Sequence, residues 1–402
     1  MPKLGDDGLI TLQYLEAPDP HGLRKADDVR RRLDHALSTL RVAALIVGWH
    51  APDDQLAICR ELTSEAGVAL YRWHPVLSGE HAEPSNAVVG LDGEAVHDDQ
   101  QNPDFTFGCP NDPRNRELVH SELSAVIDSG LFDGIFLDRI RFPSPTRNPL
   151  RDLGCFCAAC QREAQADDLD LDRVRDTLTQ TLQLPESAGA WLGATLATNT
   201  ELGAAPPNQL LERFLRFREQ SIVNLTAALN GVVRKAGLRL GLDCLSPCLT
   251  RLVGQALPEL ERHADWIKVM TYAHTNGHAG LPYELGLLSA WWQRRHGPIP
   301  DHTFAQPIPD QAFAQPTLSA ELARSREACS GPMLAGIETV ELPGIASPSA
   351  AQIADGVSAA RQHGLDGVAL SWDLWHTPPE RLELVARAWE RATPTRAAGV
   401  GD

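Results

Sequence analysis

Cys155-Phe156-Cys157-Ala158-Ala159-Cys160 reads C-x-C-x-x-C. Three thiolates this close could wrap one zinc ion, and a fourth ligand would close a tetrahedron. Cys109 is the candidate fourth ligand, because it falls in the loop before the helix that leads into the same strand. A closed four-thiolate site is structural rather than catalytic. The competing reading is a set of free or disulfide-bonded cysteines, and the spacing favours metal. Cys244 and Cys248 are four apart and could also ligate, though no second pair is obvious. Cys59 and Cys329 have the setting of buried helix thiols.

The second chemical pattern is a series of polar residues closing short apolar runs. Asp138 ends the run beginning at Gly134 and is followed by Arg139 and Arg141; Glu338 ends the run beginning at Met333. Two carboxylates facing each other across a barrel mouth can hydrolyse a glycosidic bond. One donates a proton to the leaving oxygen, and the other attacks the sugar carbon or activates water. Asp138 is taken as the donor and Glu338 as nucleophile or base, with the reverse order open. Nearby cations lower a carboxylate pKa and burial raises it, so environment decides the roles. The alternatives are an ion pair of Asp138 with Arg139 or Arg141, and Glu338 as a surface acid with Glu341 as its rival.

Other residues at strand ends form the candidate substrate-binding set. They are Trp49, His50, Arg72, Trp73, His74, Arg139, Arg141, Asp243, Lys268, Tyr272, His274, Trp372 and Asp373, with Trp375 and His376 just beyond. Aromatic faces beside hydrogen-bonding charges suit carbohydrate, whose CH faces stack and whose hydroxyls need partners. Each has a plainer reading. The histidines could be satisfied hydrogen-bond partners, the tryptophans core caps, and Asp243 a loop brace. Lys268 could instead form a Schiff base, as in an aldolase or lyase. A non-catalytic carbohydrate-binding barrel would keep the aromatic rim without a competent acid pair. No His-x-His or HExxH motif supplies an open zinc site.

These residues need a scaffold that brings strand ends together. Eight apolar runs satisfy this: 9–15, 42–49, 68–73, 132–138, 238–243, 265–271, 333–338 and 366–372. Amphipathic stretches lie between them. Val29, Leu33, Leu37 and Leu40 share one helical face, and Leu210 to Val232 traces a long helix ending at Gly237. Asp112-Pro113 opens a helix, and Ser349 with Gln352 and Thr377 with Glu380 read as capping boxes. The pattern predicts an α/β fold, a single (β/α)8 TIM barrel over 8–392, whose active site lies at the C-terminal ends of the strands. Insertions are expected after strands three and four: a loop over 79–113 with a hairpin at LDGEAV, and a zinc-bearing helical segment over 144–205. A disordered tail is expected over 393–402. An open doubly wound sheet is disfavoured, because no glycine fingerprint follows the first strand.

The cysteine pattern resembles that of the beta-galactosidases of glycoside hydrolase family 42, in which a distant cysteine plus C-x-C-x-x-C after strand four holds structural zinc. That resemblance implies a zinc site of Cys109, Cys155, Cys157 and Cys160, and acids at the ends of strands four and seven, which map onto Asp138 and Glu338. The chain departs from that family in having Leu137-Asp138 where an Asn-Glu pair is expected. Asp133 to Pro143, DGIFLDRIRFP, also resembles the glycosyl-hydrolase-like bacterial barrels whose fourth strand reads DG-hydrophobic-LD-x-IR-aromatic-P.

Composition bounds the partners. The chain has 402 residues, 36 Lys plus Arg against 53 Asp plus Glu, and a net charge of −17, which argues against a duplex nucleic-acid binder. No apolar run approaches the ~20 residues of a membrane helix. The first residues lack a basic start and apolar centre, so a cytoplasmic protein is expected. The expected partner is a carbohydrate substrate, with no nucleic acid and no membrane; a homo-oligomer is left open. The expected metal is structural Zn2+, with no catalytic cofactor.

Overall fold

The computed structural model describes residues 9–14, 24–78, 85–97, 105–196, 208–297 and 315–392. Eight parallel strands close into a barrel in sequence order: β1 Leu9–Tyr14, β2 Val42–Val47, β3 Ala69–Pro75, β4 Gly134–Asp138, β5 Arg239–Leu245, β6 Trp266–Met270, β7 Met333–Glu338 and β8 Gly367–Ser371. β1 pairs with both β2 and β8, so the sheet has no edge. The expected (β/α)8 barrel is the fold observed. Strand ends differ from the sequence reading by up to two residues, within the usual fraying of such boundaries. The expected tail over 393–402 lies outside the described residues, as do parts of the two expected insertions.

The period of two along each strand sorts side chains into two layers. Ala44, Ile46, Tyr71, Trp73, Phe136, Trp266 and Leu334 pack together inside the barrel. The alternate residues, such as Leu45, Leu70, Leu137, Leu242 and Val269, join the larger core between sheet and helices. Gly241 makes the inner packing fit, since a Cβ there would lie 2.3 Å from the Trp266 ring.

Local signals explain how the helices start. Asp112 caps the helix Pro113–Asp128 by accepting from the Arg114 N–H at 2.9 Å. Ser349 and Gln352 form the expected reciprocal box at Ala350–Gln362. The box expected from Thr377 does not form, and the helix Pro379–Arg391 starts after Pro378 with no side-chain cap. The Thr377 hydroxyl is used elsewhere, on the Asp373 carbonyl and the Thr339 hydroxyl, and so ties the loop after β8 to that after β7. The expected hairpin at LDGEAV is present as an antiparallel bridge of Val89 with Ala95 around Gly93, whose φ is +87°.

Candidate active site and thiol cluster

Inward positions near the C-terminal ends of six consecutive strands are polar. β4 ends in Asp138, β5 supplies Asp243, β6 Lys268, β7 ends in Glu338, β8 in Ser371, and β1 supplies Gln13. Asp243 is in register with Lys268, and Glu338 with Ser371. Lys268 is fully buried. Its ammonium donates to Gln13 Oε1 at 2.8 Å, Asp243 Oδ2 at 3.0 Å and the Tyr272 hydroxyl at 2.8 Å. Ser371 Oγ donates to the same Gln13 oxygen at 2.9 Å. Burial alone would lower the Lys268 pKa, but the charge of Asp243 and the Tyr272 hydroxyl outweigh it and hold it above its usual value. Burial lifts the Asp243 carboxyl to about 7 against the pull of Lys268, with Asp138 pushing the same way.

The two acids singled out from the sequence sit at either end of the four-strand arc β4–β7. Asp138 is 8% exposed, and both its oxygens accept N–H donors: Oδ2 from Trp73 Nε1 at 3.0 Å and Oδ1 from the Arg139 backbone at 2.6 Å. Arg139 has φ +54°, a left-handed conformation that turns its N–H back onto the carboxylate. Glu338 is 4% exposed; its Oε1 accepts from His274 N at 2.8 Å and Thr275 Oγ1 at 3.1 Å. Burial raises the Glu338 carboxyl to about 7, and these two donors only partly offset it. Its rival Glu341 lies on the surface, 43% exposed, paired with Arg381.

The other candidates divide. Trp73 belongs to the barrel interior, and Trp372 packs against it beside Tyr272, ring centres 6.1 Å apart. Trp49 meets Trp73 edge-on at 5.3 Å and lies 5.1 Å beneath the Arg139 guanidinium; exposed His50 lies 5.3 Å from the Trp49 ring. Arg72 falls on the outer face of β3, where its guanidinium donates to the Gly48 and Trp49 carbonyls. It braces the loop after β2 and does not reach the mouth. Buried His74 lies two residues along on that same outer face. Asp373 is turned to its own loop, accepting from the Trp375 N–H and from His376 Nδ1 at 2.6 Å. His274 reaches Glu338 through its backbone, while its ring meets Gln352 Nε2 at 3.2 Å. Trp375 packs on Tyr14 under Arg24. Arg141 is buried against Phe107.

The sequence reading missed Gln13, Ser371 and Thr275. The first two sit at inward positions near the ends of β1 and β8, so strict period-two counting would have found them. Thr275 reaches Glu338 from the loop after β6, and no sequence pattern marks it.

The thiols come together as expected. One sulfur from each of Cys109, Cys155, Cys157 and Cys160 lies within 4.8 Å of all the others, close enough to hold a metal ion. Cys109 and Cys160 sulfurs are 3.4 Å apart, Cys157 and Cys109 3.5 Å; tetrahedral zinc with Zn–S ≈ 2.3 Å requires S···S of about 3.8 Å. Each sulfur also accepts an N–H: Cys155 from Val89, Cys109 from the Asn111 backbone, Cys160 from the Asn111 side chain and Cys157 from the Cys160 backbone. Arg218, fully buried among Phe142 and Phe214, feels the charges of Cys155 and Cys160. Donor number, crowding and a buried cation all fit a thiolate-bound dication. Cys59, Cys244, Cys248 and Cys329 are buried elsewhere, and none of the eight cysteines is disulfide-bonded.

No protein-family model matches the chain, and no curated protein matches it. Solved structures do. The PgaB (BpsB) glycoside hydrolase domain from Bordetella bronchiseptica superposes with TM-score 0.58 at 14% identity, over 94% of this chain and 98% of that one. The Ostrinia furnacalis Group IV chitinase gives 0.50 at 11% identity, over 96% and 100%. The chain therefore shares the barrel fold of these glycoside hydrolases.

Proposed function

We propose that the protein is a glycoside hydrolase acting on an oligosaccharide or glycoside, with Glu338 as proton donor and Asp138 as nucleophile or base. The observation that carries this is the difference between the two acids. Glu338 is buried and its pKa is raised to about 7, so a large share of it holds a proton at neutral pH. Asp138 has both oxygens solvated by N–H donors. An acid and a base in separate environments on one mouth are what glycosidic cleavage requires. This takes the reverse of the order first assigned from the sequence.

Lys268 is an unsuitable Schiff-base former. It is held charged by three oxygen partners, and its side chain is 1% exposed, so a carbonyl substrate cannot reach it. The four thiolates would hold a structural zinc ion that fixes the segment after β4 to the loop before the helix Pro113–Asp128. Zinc supplies no step here, because four protein ligands leave it no open position. The likeness to family 42 rests on the cysteine spacing and specifies no sugar. Eight unpaired cysteines suit a reducing, cytoplasmic setting.

The test uses aryl glycosides and oligosaccharides of both anomeric types. Glu338→Gln and Asp138→Asn should each lower kcat by about 10²–10⁴. The wild-type rate should fall as pH rises through about 7, where Glu338 loses its proton, and this limb should be missing from the residual activity of Glu338→Gln. Full activity in both variants would end the assignment, and glycan binding without turnover in the wild type would point to a binding barrel.

A further inference from the structure

The segments after β3, β4 and β6 line a cleft of about 490 Å³, counting its open mouth, walled among others by Phe105, Phe107, Arg141, Ser144, Arg147 and Tyr283. Arg141 is its unusual member. The residue is 5% exposed, and its guanidinium lies 4.6 Å over the Phe107 ring. It makes one hydrogen bond, from Nη1 to the Phe142 carbonyl at 3.1 Å, and its Nε–H is buried without an acceptor. Among the described residues no carboxylate pairs with it. A guanidinium has five N–H donors in a planar fork, and taking it out of water with most of them unused is costly.

The nearest acids of the cleft are already engaged. Glu284 is 2% exposed; its Oε2 accepts from the Ser144 and Thr146 hydroxyls at 2.6 and 2.5 Å, and its Oε1 from Ala279 N at 3.1 Å. Asp152 is paired with Arg151 at 2.5 Å. Among the described lining residues are three arginines and two carboxylates. Arg141 lies three residues beyond Asp138, in the loop that leaves the end of β4, so the cleft and the proposed catalytic acid are served by one loop.

We infer that this cleft takes the carboxylate of an acidic sugar, with Arg141 as its anchor, so that the substrate is a uronate-containing glycan. The inference rests on the glycoside hydrolase reading for the word substrate, and on the cleft alone for the anion. A carboxylate matches the planar fork with two parallel N–H···O bonds. A sulfate ester offers related oxygens, and the test separates the two.

The wild-type protein is titrated calorimetrically with D-glucuronate and D-galacturonate, with D-glucose and D-galactose, and with the 6-sulfates of both neutral sugars. At least one uronate should bind about tenfold or more tighter than its neutral parent, the size of one charge-assisted hydrogen bond. Arg141→Gln should remove that preference, and Arg141→Lys should keep part of it. If Arg141→Gln fails to fold, the wild-type comparison decides by itself. Equal binding of acidic and neutral sugars would overturn the inference, and so would tighter binding of the 6-sulfates. Matched aryl uronides and glycosides complete the test. Uronate-selective binding with no hydrolysis of any glycoside would sink the hydrolase reading alone, whereas hydrolysis indifferent to the carboxylate would sink the acidic-sugar reading alone.

Discussion

At the thiol cluster four groups of one kind, all acidic, share a space in which every sulfur is within 4.8 Å of the others. At the barrel mouth four ionisable groups of both signs are spread one per strand over β4 to β7. The first arrangement cannot neutralise itself. Crowding by the neighbouring thiols and burial push the Cys109 and Cys160 pKa values well up, so four thiolates coexist only if a dication joins them, with Arg218 assisting from the side. The second arrangement is nearly self-sufficient. Lys268 is paired with Asp243, N–H groups solvate Asp138, and Glu338, raised to about 7 as Asp243 is, has no ion-pair partner among the described residues. A like-charge cluster is thus built for an ion and for rigidity. A mixed one whose odd acid lacks a cation partner suits the proton transfer proposed above.

The largest effect expected from this contrast is on stability. Cys155→Ser, or stripping the protein with a strong chelator, should lower the melting temperature markedly and release bound metal. Structural zinc contributes about 10–16 kcal/mol in small peptides; in a barrel with its own core the loss should be on the order of several kcal/mol. Cys59→Ala is the control, since that helix thiol is buried far up its titration range, at about 12. It should leave chelator sensitivity unchanged. Protein that purifies without metal, and whose melting ignores the chelator, would remove the contrast.

The two regions differed in how much of them the sequence exposed. The cluster was legible because thiol chemistry is carried by spacing: C-x-C-x-x-C fixes three ligands along the chain, and topology required only that Cys109 lie near the same strand. The barrel was legible for a similar reason, since period-two strands alternating with period-3.6 helices leave few closed topologies. The mouth was harder. Asp138 and Glu338 could be placed at strand ends, but one residue of phase separates the inside of the barrel from its outside. Arg72 looked like a rim residue because it neighbours Trp73, and that adjacency is what sends it to the opposite face. Asp373 lies past its strand, where loop hydrogen bonds rather than strand phase set its direction. The partners of Lys268 come from three separate segments, and no local pattern announces such a meeting.

The next effect sharpens the claim that the mouth neutralises itself. Lys268→Met leaves Asp243 buried with its Oδ2 unpaired, beside an Oδ1 that already lacks a partner. Breaking a buried pair in this way costs about 3–5 kcal/mol. Replacing both residues, as Lys268→Met with Asp243→Leu, should recover most of that loss, because no lone charge remains. Chemical denaturation of the two single variants and the double gives the coupling directly. Additive losses would mean that Lys268 and Asp243 do not act as a unit.

A smaller effect, with a definite sign, tests whether Glu338 is the odd acid. Burial raises its pKa from 4.5 to about 7, so between those values the folded protein binds more protons at this site than the unfolded chain does. Stability contributed by this site therefore falls as pH rises through that window, and the penalty is complete above about pH 7. Glu338→Gln keeps an oxygen for the His274 and Thr275 donors but has no proton to lose. The variant should match wild type near pH 4.5 and exceed it at pH 8, by on the order of 3 kcal/mol if the whole shift is expressed. Asp243, whose carboxyl is also raised to about 7, is present in both proteins and drops out of the difference. The same substitution should thus stabilise the fold at pH 8 while sharply lowering turnover. Such opposite signs are expected where a fold tolerates an unfavourable charge for its chemistry. Equal pH dependence of unfolding in the two proteins would show that Glu338 is ionised without penalty, leaving the mouth without its proton donor.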